Sequence, residues 1–321
     1  MTSLASNEKV AMRDAFGETL LELSRKDPNV LVLDGDLATS TKIDTVAAKN
    51  PEQFLQMGIA EQNMVGVAAG LATLGYQPWV TSFAAFISKR SLDQIQVVVA
   101  QPKLDVKLVG AYSGLLTGYT GKTHQSLEDI AIMRSLANMV VIAPADAVEV
   151  KKAMEFIHQY KGPVYIRLAR DPLPILFDEK KYTFAMGKGV KLKEGTDVTI
   201  ISTGTQTSRA VEAADRLKAE GISAAVLHLP TIKPIDTEAV IEAAERTGAI
   251  VTAEEHSIYG GLGSAVAEIL VENRPTPMLR VGVQDKNSES APNDALLRKF
   301  KISTDDIVSQ AIRVLKMKPN S

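Results

Sequence analysis

Short, β-rich apolar runs at residues 30–33, 79–82, 106–110, 139–142 and 164–168 alternate with longer amphipathic stretches. That alternation predicts a parallel sheet flanked by helices. A second series of runs, at 198–202, 224–227, 249–253 and 279–283, begins after the charged, glycine-containing stretch 187–195. The pattern therefore predicts two parallel-sheet α/β domains, 1–189 and 190–321, divided near residue 190. In both, strands run out into clusters of Gly, Ser, Asp and Thr, and open α/β sheets take ligands at the carboxyl ends of their strands. Residues 1–27 read as one amphipathic, charged helix, and 316–321 as a frayed end.

One helix stands apart. Met57-Gly58-Ile59-Ala60-Glu61-Gln62-Asn63-Met64 sets a single carboxylate at its head, and residues 65–75 carry no charge. Met64, Val67, Leu71 and Leu74 recur at helical spacing, which predicts that this face is covered and that Glu61 enters a buried site. Burial disfavours the charged form of a carboxyl, leaving a group suited to hold and pass a proton. A first-turn glutamate favoured by the helix dipole is the alternative on local grounds.

With 321 residues the chain is long enough for two domains with cores of their own. A formal charge of −2 gives no electrostatic footprint for nucleic acid or an anionic membrane. The absence of cysteine excludes disulfides, thiolate metal sites and thiol nucleophiles, and suits a reducing cytoplasm. No apolar run approaches the roughly 20 residues that span a bilayer. Gly260-Gly261-Leu262-Gly263 fails the spacing of a dinucleotide fingerprint and reads as close helix packing, with Glu254, Glu255 and His256 structural or at an interface.

Other segments follow Glu61 in a fixed order: Thr81-Ser82-Phe83-Ala84-Ala85-Phe86, Leu92-Asp93-Gln94-Ile95 and Gly121-Lys122-Thr123-His124-Gln125. Taken with Arg13-Asp14-Ala15-Phe16-Gly17, Leu33-Asp34-Gly35-Asp36-Leu37 and Val283-Gln284-Asp285-Lys286, they resemble transketolases over nearly the whole chain. The match is to the pyrimidine-binding and carboxy-terminal domains, as in the carboxy-terminal subunit of a split, two-chain transketolase.

The resemblance implies thiamine diphosphate as cofactor. Glu61 would hydrogen-bond the pyrimidine N1′ and serve proton transfer, Phe83 and Phe86 would flank the aminopyrimidine ring, and Asp36 would face its thiazolium side. His124 would contact the donor sugar, and Arg13, Ser40 and Arg170 the substrate phosphate, for which a planar guanidinium is suited. Each also has a plainer reading. Two phenylalanines three apart are often core, Asp36 could serve an Asx turn or helix cap, and a lone loop histidine is often solvated.

The chain has no Gly-Asp-Gly with a downstream Asn, the grip on Mg²⁺ and diphosphate in thiamine enzymes. The resemblance therefore implies that Mg²⁺ is bound by an amino-terminal partner subunit, in an α2β2-type assembly. Two positions depart from the family. Gly118-Tyr119-Thr120-Gly121 stands where Gly-Glu-Asp-Gly is usual, and Tyr112 where a His or another polar donor is common. Loss of the carboxylate at Thr120 leaves room for a different or branched donor, such as apulose 4-phosphate. A 2-oxoacid dehydrogenase β subunit, a 1-deoxyxylulose 5-phosphate synthase-like enzyme and a non-catalytic module of the same fold are the competing readings. His124 and Arg170 favour sugar phosphate over the first, the missing cofactor half disfavours the second, and retention of Glu61, Phe83 and Phe86 argues against the third.

Overall fold

The structure, a computed structural model, describes residues 8–318. In chain order its strands are β1 (Lys9–Ala11), β2 (Val30–Asp34), β3 (Phe54–Gln56), β4 (Gln77–Phe83), β5 (Lys107–Ala111), β6 (Val140–Ile142), β7 (Val164–Arg167) and β8 (Pro172–Pro174). There follow β9 (Val190–Lys193), β10 (Val198–Ser202), β11 (Ala224–His228), β12 (Thr231–Lys233), β13 (Ile250–Ser257) and β14 (Met278–Val283). Seven strands form one sheet in the order β12-β6-β7-β5-β4-β2-β3, parallel except where β12 runs antiparallel to β6. Five form a second, β14-β13-β10-β11-β9, parallel except for the edge strand β9. β1 and β8 make a small antiparallel ribbon.

β2, β4, β5 and β7 are buried along every residue, as a sheet covered on both faces by helices requires. The helix Met12–Lys26 packs Met12, Phe16, Leu20 and Leu23 into the core beside the first sheet. The helix Ala147–Gln159 is capped by Asp146, whose carboxylate accepts the Glu149 N–H at 2.8 Å. The two halves of the chain are joined by backbone as well as side chains. The Ala143 N–H donates to the Pro230 carbonyl at 2.8 Å, and His228 Nε2 meets Glu149 Oε2 at 2.7 Å with both residues buried.

Three expectations need correcting. The helix expected over 1–27 starts only at Met12, because residues 9–11 pair with β8, a contact no local pattern signals; residues 1–7 lie outside the described residues. The last helix, Thr304–Leu315, is followed by a turn, and of the end expected to fray, residues 319–321 lie outside the described residues. The helix Glu61–Thr73 buries Met64, Val65, Ala68 and Ala69; Val67 and Leu71 of the expected stripe pack against the core only partly buried, and Leu74 is 75% exposed. With Gly66, Ala68, Ala69, Gly70 and Ala72 along it, hydrophobicity barely separates the faces, and packing against β4 decides which one turns inward.

Candidate active site

Four neighbouring strands, β7, β5, β4 and β2, deliver the candidate residues from their carboxyl ends. β4 ends at Phe83, β5 is followed at once by Tyr112, β2 by Gly35-Asp36, and β7 leads to Arg170. Arg13 comes from the first turn of the helix Met12–Lys26, and Glu61 heads the helix Glu61–Thr73.

Phe83 and Tyr112 stack with centroids 4.1 Å apart and 18° between the rings. Phe86 lies 5.7 Å from Phe83, and His124 meets Phe86 edge-on at 5.2 Å. Tyr112 has a φ of 55°, a left-handed backbone that is costly for a bulky side chain. Its surroundings hold it there: the ring is stacked, and the hydroxyl accepts from Arg13 Nη1 at 2.6 Å. The Arg170 guanidinium lies over the same ring, 5.6 Å from its centre. Burial works against the Arg170 charge, but the Tyr112 hydroxyl and Asp171 outweigh it and raise its pKa. Two guanidiniums therefore converge on one phenol, and the Nε of each is buried without a hydrogen-bond partner. Converging cationic donors with bonds unmade are suited to an oxyanion. A cleft of about 760 Å³ opens beside them, lined by Tyr119, Arg170, Asp171, Arg209 and Asn293.

Glu61 is 4% exposed, and its Oε1 accepts from Arg90 Nη1 at 2.7 Å. The same guanidinium lies 4.0 Å over the Phe86 ring. Arg90 was missed in the sequence, where its signal is slight: it sits one helical turn beyond Phe86, on the same face. These residues fit an aminopyrimidine. A buried carboxyl is joined through Arg90 to flat aromatic rings, and the Ser82 hydroxyl beside Gly35 is buried without a partner. Gly35 leaves space there, since a Cβ would meet Met64 Cε and Ser82 Oγ at 3.4 Å.

The turn after β2 is made by Asp34, not Asp36. The Asp34 carboxylate accepts from the Leu37 N–H at 3.0 Å and from Gln56 Nε2 at 2.7 Å, while Asp36 stands exposed with a φ of 67°. Ser40 enters through its backbone, whose carbonyl accepts from Arg13 Nη1 at 3.2 Å. Thr120 is exposed, and its hydroxyl turns back to Thr117 Oγ1 at 2.7 Å. His124 Nδ1 lies 2.8 Å from Thr123 Oγ1. Arg13, Phe83, Phe86, Tyr112, His124 and Arg170 thus form one cluster, and Glu61 joins it through Arg90. Among the described residues no group of three or more His, Cys, Asp or Glu is placed to hold a metal ion, and no helix is long and apolar enough to cross a membrane.

Beneath the loop that carries His124, Arg167 Nε donates to Asp129 Oδ2 at 2.8 Å, and the Tyr165 hydroxyl donates to the same oxygen at 2.8 Å. Burial pushes the Asp129 carboxyl up, and the Arg167 and His256 charges together with the hydrogen bonds from Arg167 and Tyr165 outweigh it, so its pKa is lowered. In the second half, the Glu254 carboxylate accepts from the Leu262 and Gly263 N–H groups at 2.7 and 2.8 Å, at the start of the helix Leu262–Asn273. Burial pushes this carboxyl up. The glycine-rich turn is therefore already occupied by a carboxyl group of its own where a dinucleotide phosphate would sit.

Comparison with known proteins bears on the family and the fold. Residues 8–175 match the transketolase pyrimidine binding domain, and residues 187–307 match the transketolase C-terminal domain. The chain belongs to the transketolase family. Within that family its counterpart is the carboxy-terminal subunit of the split form. A solved structure described as a split gene transketolase, inactive beta4 tetramer, is 46% identical and superposes with a TM-score of 0.90, covering 97% of this chain and 100% of that one. The 6-deoxy-6-sulfo-D-fructose transketolase subunit SqwH of Clostridium sp. (strain MSTE9) is 43% identical over 307 residues, 96% of this chain and 95% of the relative. A subunit of the apulose-4-phosphate transketolase of Phocaeicola vulgatus is 38% identical over 311 residues, 97% and 99% of the respective chains.

Proposed function

We propose that this chain is the pyrimidine-side subunit of a two-chain, thiamine-diphosphate-dependent transketolase that moves a two-carbon ketol unit between sugar phosphates. The observation that carries the reading is the convergence of Arg13 and Arg170 on Tyr112, next to the buried Glu61 and the Phe83–Phe86 pair. It supports an oxyanion site beside a site for a flat heteroaromatic ring.

Thiamine diphosphate, when bound, supplies the carbon nucleophile for ketol transfer. Glu61 would hold or move the proton at the pyrimidine N1′, Phe83 and Phe86 would bind the ring, and Asp36 would serve the thiazolium side. Arg13, Ser40 and Arg170 hold the phosphate, and His124 orients the sugar oxygens. Mg²⁺ and the diphosphate belong to an amino-terminal partner subunit, in an α2β2 assembly in the cytoplasm. The division between the two units of this chain falls near residue 190. The two subunit relatives are named for different sugars, 6-deoxy-6-sulfo-D-fructose and apulose 4-phosphate, at 43% and 38% identity. Tyr112, Tyr119 and Thr120 are the positions at which this chain would set its own, with a branched ketose phosphate such as apulose 4-phosphate as the donor we favour.

The test is co-expression with the amino-terminal subunit, followed by a ketol-transfer assay with thiamine diphosphate and Mg²⁺ over a panel of linear, branched and sulfonated ketoses. Transfer that requires both chains and the cofactor is expected. A complex that binds the cofactor yet transfers nothing from any phosphorylated or sulfonated ketose overturns the proposal.

A further inference from the structure

Loop 113–126 carries Thr120 and His124, and its shape is imposed from the second half of the chain. Three of its glycines have positive φ, and each abuts a different residue of that half. A Cβ on Gly114 (φ 74°) would fall inside contact distance of the Glu255 carboxylate. One on Gly118 (φ 48°) would stand 2.6 Å from Asn293 Oδ1, and one on Gly121 (φ 73°) 3.4 Å from Ser290 Cβ. The loop is bonded at the same points. Glu255, fully buried, accepts the Leu116 N–H on Oε1 at 2.7 Å and the Thr205 hydroxyl on Oε2. Ser290 Oγ donates to the Tyr119 carbonyl at 2.8 Å, and Gln125 Nε2 reaches back to the Glu289 carbonyl at 3.3 Å.

Asn293 does more than hold the loop. Its Nδ2 donates to the Leu116 carbonyl at 3.4 Å and to Asp171 Oδ2, and the other oxygen of Asp171 accepts from Arg170 Nη1 at 3.0 Å. One side chain of the second half thus joins the loop to the guanidinium in the oxyanion cluster.

We propose that Asn293, supported by Glu255 and Ser290, is a positioning residue through which the second half of the chain sets loop 113–126 and Arg170 in register with each other. As a positioning role for sugar phosphate this rests on the transketolase reading, whereas the bracing of the loop does not. The second half, which also lines the cleft through Arg209 and Asn293, thereby acts on Arg170 and the loop from behind. Removing one or two hydrogen bonds that hold a loop loosens it locally while leaving the sheet intact.

The experiment has two arms. In the full chain, amide hydrogen exchange is followed for Asn293→Ala and Glu255→Ala. Exchange across 114–126 should quicken about five- to tenfold, the scale of one or two lost hydrogen bonds, while amides of β2, β4 and β5 stay unchanged. Glu255→Gln, which retains an acceptor for the Leu116 N–H, should restore most of the protection. In the assembled two-chain enzyme, Asn293→Ala should raise the KM for sugar phosphate by a similar factor, with kcat and the thiamine diphosphate Kd within about twofold of wild type. Unchanged exchange over 114–126 in both alanine variants overturns the bracing. Faster exchange with an unchanged KM overturns the positioning role. A fall in kcat and cofactor affinity as large as the change in KM marks a general structural role and overturns it too. A wild-type complex without ketol transfer is the separate failure of the transketolase reading, and the exchange arm then still decides the bracing.

Discussion

Tyr112→Phe isolates what the phenol does for the two guanidiniums. Phenylalanine keeps the ring and the 4.1 Å stack on Phe83, and deletes the oxygen that Arg13 Nη1 meets at 2.6 Å. A hydrogen bond to a charged group contributes about 1.5–3 kcal/mol. Here the loss falls at the lower end. Arg13 Nη1 retains the Ser40 carbonyl at 3.2 Å, and the half-buried guanidinium has water within reach. About 1.5 kcal/mol corresponds to about tenfold in affinity. The expected result is a tenfold rise in KM for a phosphorylated acceptor with kcat little changed, because the phenol orients the phosphate grip and touches no reacting atom. Steady-state kinetics with the assembled enzyme should compare a phosphorylated acceptor with its unphosphorylated counterpart, which should lose little. Equal losses for the two acceptors, or an unchanged KM for the phosphorylated one, would refute the reasoning.

Glu61→Gln keeps the shape and an acceptor for Arg90 but cannot exchange a proton, so turnover should fall about 100-fold or more while thiamine diphosphate still binds; wild-type turnover removes Glu61 from the chemistry. Thr120→Asp must leave its bond to Thr117 and reach toward the cleft. If a carboxylate there reads a donor hydroxyl, preference should move from a branched toward a linear ketose phosphate by about tenfold or more, and an unchanged ratio places Thr120 outside the donor pocket. Lys107, fully buried, is lowered from 10.5 to about 8 by burial, which Asp105 only partly offsets. The folded chain releases this proton near pH 8 while the unfolded chain keeps it to about 10.5, so stability should rise with pH across that window, by at most about 3 kcal/mol. Urea unfolding at pH 7.5, 8.5 and 9.5 measures it, and a slope identical in Lys107→Met shows that Lys107 is not its source.

The parallel strands and the residues at their carboxyl ends were legible because uninterrupted apolar runs ending in Gly, Asp and Thr have few other uses. What escaped the sequence depends on distant partners. Arg90 is 29 residues from Glu61, Glu255 is 139 from Leu116, and Asn293 is 177 from the carbonyl it holds. None belongs to a local pattern that distinguishes it from an ordinary surface or buried polar residue. β1 and β12, three residues each, are too short for a period to register and exist only because β8 and β6 offer them an edge. Along the helix Glu61–Thr73 only Leu74 departs from the expected stripe, for a different reason. Its residues are small enough on every side that only the neighbouring strand tells inside from outside.

β12 carries a consequence for any attempt to work with the two halves separately. Its pairing along β6 seals one end of the first sheet with a segment encoded some 90 residues later, Thr231 facing Ile142 and Lys233 facing Val141. A fragment cut near residue 190 would retain β6 as a bare, apolar margin with unsatisfied N–H and C=O groups, the kind of template along which chains polymerise. Such fragments should precipitate or pair edge to edge, and adding a peptide that spans Thr231–Lys233 should return them to solution.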